Sequence, residues 1–169
     1  AVRGPEEVLN ANIDVFIRHL DFFSRQYKYI VADLGNEFKD LQWAILKEST
    51  AINIITVPEV LVLNQTQRLI QELLTATFPL DLFQLILNKV QQSGMSPQTI
   101  SQALKLPVIG LIPQDELTTL GSLQRGLPFV FSQNKAPISA AYFDIVRRLT
   151  GGIFQKLKSL SRPQPSMPS

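Results

Sequence analysis

The sequence predicts an α/β protein, a mostly parallel sheet sandwiched by helices. Two observations carry that class. Runs such as Ile52-Asn53-Ile54-Ile55-Thr56-Val57 and Val108-Ile109-Gly110-Leu111-Ile112 are apolar with little alternation, as in strands covered on both faces. Segments with apolar residues at helical spacing separate them, and a helix between successive strands makes the connection parallel. With 169 residues, 45% hydrophobic and 18% charged, the chain can close one core of ordinary size.

Pro5 to Gln26 opens the chain as an amphipathic helix, with Leu9, Ile13, Phe16, Ile17, Leu20 and Phe23 on one face and Pro5, Glu6 and Glu7 in its first turn. Tyr29-Ile30-Val31-Ala32 reads as a buried strand ending at Asp33, before the turn-prone Gly35-Asn36. A helix over about Lys39 to Glu48, the strand from Ile52 to Val57 and a helix from about Leu61 to Thr77 continue the alternation. Leu82 to Leu87 is the next strand, Ser96 to Leu104 a helix begun by a Ser-Pro pair, and Val108 to Ile112 another strand. Asp115 to Gln124 reads as a short helix and Phe129-Val130-Phe131 as a short extended piece. A long helix from Ile138 to Leu160 follows, with Gly151-Gly152 as the place where it would break, and then a disordered tail rich in proline and serine.

Composition removes several function classes. Sixteen basic residues stand against fourteen acidic ones, too near balance for a surface that coats nucleic acid. Without cysteine there is no disulfide framework, no thiolate zinc site and no cysteine nucleophile. His19 is the single histidine, so sites needing two imidazoles are excluded; within Phe16-Ile17-Arg18-His19-Leu20 it reads as a partly exposed structural residue. No apolar run reaches the roughly 20 residues of a spanning helix, and Ala1-Val2-Arg3-Gly4-Pro5 has no signal-peptide core. The chain thus reads as soluble, and as a fragment of something longer.

In a parallel sheet, ligands bind outside the carboxyl ends of the strands. That points to the loops opened by Asp33, Pro58, Asn88 and Pro113. A carboxylate at the tip of a buried strand, as at Asp33 before Leu34-Gly35, suits the holding of magnesium through water, and suits equally the capping of a turn. Asn88 could read a base edge, since an amide donates and accepts at once, or be a turn residue at the strand end. Asp115 is a ligand-loop residue or the N-cap of the next helix. Pro58 and Glu59 read as loop shape, Trp43 and Met95 as packing residues.

Taken in order, Tyr27 to Gly35 (YKYIVADLG), Thr56 to Glu59 (TVPE), Leu85 to Val90 (LILNKV) and Leu106 to Asp115 (LPVIGLIPQD) resemble the second half of the MinD/ParA-type P-loop ATPases. Leu123 to Phe131 (LQRGLPFVF) and Ala136 to Leu149 extend the likeness over roughly residues 6–155. Within that superfamily the chain looks most like the CpaE/TadZ branch, whose MinD-like domain serves assembly of Flp-type pili. The resemblance implies that Asp33 is the Walker B aspartate holding magnesium through water, and that Gly35 belongs to the switch II loop that senses the γ-phosphate. Leu34-Gly35-Asn36 departs from the proline or serine many relatives carry there. It further implies that Asn88 reads the adenine edge and that Pro113, Gln114 and Asp115 form the loop lying against the base. ATP or ADP with Mg would be the ligands, a homodimer around nucleotide the working form, and pilus or secretion-system assembly proteins the partners. Ile153, Phe154, Leu157 and Leu160, interleaved with Lys156 and Lys158, resemble the family's membrane-targeting segment, or else simply finish the last helix.

Nowhere does the sequence hold Gly-x-x-x-x-Gly-Lys-Ser/Thr, since Gly151-Gly152 is followed by Ile153 without the lysine. Without that loop the β and γ phosphates lack a backbone cradle and a neutralising lysine. The expectation is that residues 1–160 are the C-terminal portion of a MinD-like ATPase domain incomplete at its N-terminus, followed by a disordered tail at 161–169. Such a chain would bind no nucleotide tightly by itself. The alternative is a non-hydrolysing scaffold that marks the pole or membrane for pilus assembly.

Overall fold

A three-stranded parallel sheet with helices on its faces organises the chain from Asn53 onward. The computed structural model describes residues 13–36 and 38–160, the last nine of these by backbone alone. Its contacts fall into two units divided between Ile52 and Asn53. The predicted helix start at Pro5 and the tail at 161–169 lie outside the described residues.

In the first unit, α1 (Ile13–Ser24) rests on α2 (Asp40–Glu48). Ile13, Ile17 and Leu20 of α1 are half-buried at the predicted helical spacing, while Phe16, Phe22 and Phe23 are exposed. In α2, Ile45 and Leu46 are buried. Lys39 precedes the helix as N-cap and donates its backbone N–H to Gln42 Oε1 at 3.2 Å, which steadies the first turn. Phe38 packs on Trp43 with ring centroids 5.5 Å apart, giving the tryptophan the packing role expected of it.

The segment between these helices departs from expectation. Tyr29 to Ala32 is not a strand and not buried; Val31 is 93% exposed and Ile30 43%. An apolar run becomes a strand only when neighbours satisfy its backbone N–H and C=O groups and cover its faces. The sheet of the described residues consists of other strands and gives this run no such neighbour.

In the second unit the order is β1 (Ile52–Thr56), α3 (Val60–Thr75), a 3₁₀ turn at Leu80–Leu82, β2 (Phe83–Val90), α4 (Pro97–Leu104), β3 (Val108–Pro113), α5 (Glu116–Arg125), α6 (Phe129–Ser132) and α7 (Pro137–Leu160). The strands lie in the order β1-β2-β3, so β2 is central, and Phe83, Leu85, Ile86 and Leu87 are all buried because both faces are covered. Ile86 packs with Ile112 of β3 and with Ile138 and Ile145 of α7. Phe83, Leu85 and Leu87, at odd positions, point to the opposite face.

Local chemistry sets the helix boundaries. Ser96 Oγ accepts the Thr99 N–H at 3.1 Å and Pro97 fills the first turn, as the Ser-Pro pair predicts. Gly126, at φ +61°, ends α5 in the left-handed region. Among the described residues, Thr77 (φ 67°), Lys89 (φ 53°) and Lys105 (φ 56°) adopt that conformation without being glycine.

Two further expectations are corrected. Phe129-Val130-Phe131 is helical, not extended: Pro128 at φ −56° starts a single turn in which the Gln133 N–H reaches Phe129 O at 2.7 Å. The turn is tied down by Ser139, fully buried, whose Oγ donates to Gln133 O at 2.7 Å. Helix α7 runs through Gly151-Gly152 without a break. Two glycines cost helix propensity, about 1 kcal/mol each, but remove no backbone hydrogen bond, and the long helix on either side carries them.

At Gly110 the sheet and α7 approach most closely. A Cβ there would overlap Ile145 Cγ1 and stand 2.7 Å from Ile145 Cδ1, so α7 seats against β3 only because this position has no side chain. Thr56 of β1 and Thr66 of α3, both buried, share a hydrogen bond of 2.8 Å between hydroxyls.

Candidate functional site

The pairing of β2 with β3 shifts register once between Leu85, opposite Val108, and Ile86, opposite Gly110, and slips again after Leu87, opposite Leu111. The next partners are Val90 and Pro113, so Asn88 and Lys89 together stand against the single residue Ile112. This is a β-bulge, made by turning Lys89 into the left-handed region. Asn88 Oδ1 accepts the Lys89 N–H at 2.9 Å and so steadies the turn it sits beside. Asn88 is therefore within β2, two residues before its end, rather than at the strand terminus as the sequence suggested.

The bulge ends where the loop after β3 begins. The Gln114 N–H donates to Val90 O at 3.1 Å, which carries main-chain pairing one residue beyond β3 and holds Pro113-Gln114-Asp115 against the end of β2. Asp115 is the N-cap of α5: its Oδ1 accepts the Thr118 N–H at 3.0 Å. Hydrogen bonding from the Thr118 side chain and then from its N–H holds the Asp115 carboxyl below the usual aspartate value, since both favour the charged form, and desolvation opposes them. Of its two sequence readings, the cap is observed.

Two residues that the sequence did not single out complete this rim. Gln91 Nε2 donates to Gln114 Oε1, and Gln114 Nε2 donates to Glu116 Oε1 at 2.9 Å. Gln91 and Gln114 lie 23 residues apart, so no local pattern could have paired them.

After β1, Pro58 and Glu59 shape the entry to α3: the Glu59 N–H bonds Val57 O at 2.8 Å, and Glu59 O accepts the Leu63 N–H at 2.8 Å. That is the loop-forming role expected of them.

Asp33 and Gly35 belong to the first unit. Asp33 is exposed in a loop, not at a strand tip, and its Oδ1 accepts the Gly35 N–H at 3.2 Å, an Asx-turn closed by Gly35 at φ +67°. No cluster of three metal-ligating side chains exists among the described residues. A single carboxylate acting through water fits magnesium only as part of a site whose remaining ligands are phosphate oxygens and water.

His19 is exposed, with Nδ1 2.7 Å from Val15 O, a local contact within α1. Ile153, Phe154, Leu157 and Leu160 lie in the last stretch of α7, where only the backbone is described. No helix of the described residues is long and apolar enough to cross a membrane.

Known proteins match this arrangement in structure and not in sequence. No protein-family model matches the chain, and no curated protein matches it. A ParA family ATPase from Chlorobium tepidum superposes with a TM-score of 0.77 at 21% identity, over 88% of this chain and 62% of its own. The fold is that of the MinD and ParA ATPases. A chain of the Aquifex aeolicus MinC:MinD cell division complex shares the MinD/ParA fold with a TM-score of 0.73 at 22% identity, over 93% of this chain and 62% of its own. The septum site-determining protein MinD of Pyrococcus horikoshii, solved with Mg-ADP, gives 0.70 at 18% identity over 88% and 60%. The chain thus spans about three-fifths of the length of each MinD/ParA structure cited.

Proposed function

We propose that the chain is part of an ATP-dependent, dimerising switch of the MinD/ParA kind that serves assembly of Flp-type pili or a secretion system. In this reading it supplies the base-binding and switch II half. The observation that carries it is the bulged end of β2, where Asn88 and the loop of Pro113, Gln114 and Asp115, joined to β2 at Val90, share the carboxyl edge of a parallel sheet.

The residues divide the work by chemistry. The amide of Asn88 has its Nδ2 hydrogens and the second lone pair of Oδ1 to offer an adenine edge, and Pro113 and Gln114 present apolar surface and main chain to the base. Asp33 would hold magnesium through water, and Gly35, already left-handed, gives the following loop freedom to move with the γ-phosphate. Magnesium, when bound, would neutralise charge on the phosphates. Partners would be a second copy and pilus or secretion-system proteins, with Ile153, Phe154, Leu157 and Leu160 as a weak membrane contact doubled by dimerisation.

A second reading is a non-hydrolysing scaffold of the same fold. It is favoured by the want of any Gly-x-x-x-x-Gly-Lys-Ser/Thr in these 169 residues. Calorimetry with ATP and ADP, with and without magnesium, on this chain and on the product of the whole gene decides between them. Tight magnesium-dependent binding by the gene product supports the switch, and no binding by either supports the scaffold. In the gene product, Asp33→Asn lowers magnesium-dependent turnover while leaving the melting temperature unchanged; undiminished turnover removes Asp33 from the mechanism.

A further inference from the structure

We propose that Gln91, Gln114 and Glu116 form a polarised side-chain relay that fixes the attitude of the loop at Pro113-Gln114-Asp115, with Gln91 and Glu116 as positioning residues for the bound base. The inference rests on the base-binding reading of that loop.

The direction of the relay follows from its last member. An ionised Glu116 can only accept, so the end of the Gln114 amide that faces it at 2.9 Å must be Nε2. Gln114 Oε1 is thereby turned toward Gln91, and the partner it needs is a donor, which the Gln91 amide nitrogen supplies. Each bond in the chain dictates the next, and the carboxylate at one end sets the order of all of them.

The relay adds a side-chain tie to the loop's main-chain anchors. The loop's main chain is joined to β2 through the Gln114 N–H to Val90 O at 3.1 Å and to α5 through the Asp115 cap on Thr118, and the Gln114 side chain lies between these two anchors. Gln91, one residue past β2, and Glu116, the first residue of α5, hold the same side chain from opposite sides. Together they tie the bulged strand carrying Asn88 to the helix that Asp115 caps. All three residues are exposed, so the relay contributes geometry at the rim more than stability to the core.

Reversing the chain tests it. Gln91→Glu removes the donor and faces a carboxylate to Gln114 Oε1; the amide must turn over, and Oε1 then meets the Glu116 carboxylate. Gln91→Glu with Glu116→Gln restores a complete relay running the other way, at unchanged net charge. Binding of a fluorescent ATP analogue by the whole gene product should weaken about tenfold in Gln91→Glu and return to within about twofold in the double variant. Melting temperatures should agree across the set, separating positioning from folding. Equal binding by the wild type and Gln91→Glu overturns the relay while leaving the base site standing, as does a double variant no better than the single one. Failure of the wild type to bind the analogue removes the base-binding reading, and the relay with it.

Discussion

Leu85-Ile86-Leu87 and Tyr29-Ile30-Val31 are triplets of similar apolar character with opposite fates. The first is at most 6% exposed, whereas the second ranges from 38% to 93%. Leu85 to Leu87 has β1 and β3 on its two edges and helices over its faces. The run at 29–31 has no strand beside it among the described residues. An apolar run states what a segment requires of its surroundings; only pairing and cover decide whether it becomes a strand.

The largest test of that contrast sets truncation in one triplet against truncation in the other. Leu87→Ala, at a side chain with no exposed surface, should cost about 2–5 kcal/mol in urea unfolding. Val31→Ala should stay within about 0.5 kcal/mol of the parent. A comparable loss at Val31 would show that the run is covered in solution and would break the comparison. Next in size, Gly110→Ala forces Ile145 and α7 away from β3 and should destabilise by about 1–3 kcal/mol. A neutral result would mean that α7 has room to shift, and that close seating is not what buries β2. Smaller again, Thr66→Val leaves the buried Thr56 hydroxyl without its partner and should cost about 1 kcal/mol.

The smallest effect concerns pH at the rim. Asp115 titrates lower in the folded state than in the unfolded chain because Thr118 favours its charged form. The sign follows: the cap's contribution is complete above the unfolded aspartate value and is lost as pH falls through the depressed folded one. Melting from pH 7 downward should therefore reveal a loss that Asp115→Asn lacks. Identical acid profiles for the two proteins would remove this carboxylate from the stability of α5.

The same contrast measures what was legible. Element type was clear wherever the segment's own residues decide it: Ser96-Pro97 begins α4, Asp115 caps α5, and the apolar runs at 52–56, 83–87 and 108–112 are strands. It failed where a neighbour decides, as at 29–32, and at Phe129-Val130-Phe131, where β-type residues turn helical under Pro128 and Ser139. Within the candidate site, the loop at 113–115 is bonded to Val90, two residues after Asn88 in the same strand. The bulge at Asn88 and Lys89 left no pattern, because it goes with a conformation at Lys89 that the residue itself disfavours. Gln91 was invisible for a different reason: its bond to Gln114, which in turn bonds Glu116, spans 23 residues of sequence.

The left-handed residues Thr77, Lys89 and Lys105 also mark where this protein could be improved and where it should be left alone. Thr77 follows α3 and Lys105 ends α4, both in places where helices ordinarily use glycine. Replacing either by glycine relieves a conformational penalty of about 1 kcal/mol and disturbs nothing near the strand ends. Lys89 carries the same penalty beside Asn88, in the turn that makes the bulge. A formulator seeking shelf life would begin at Thr77 and Lys105, and a designer seeking a new ligand preference would begin at Lys89.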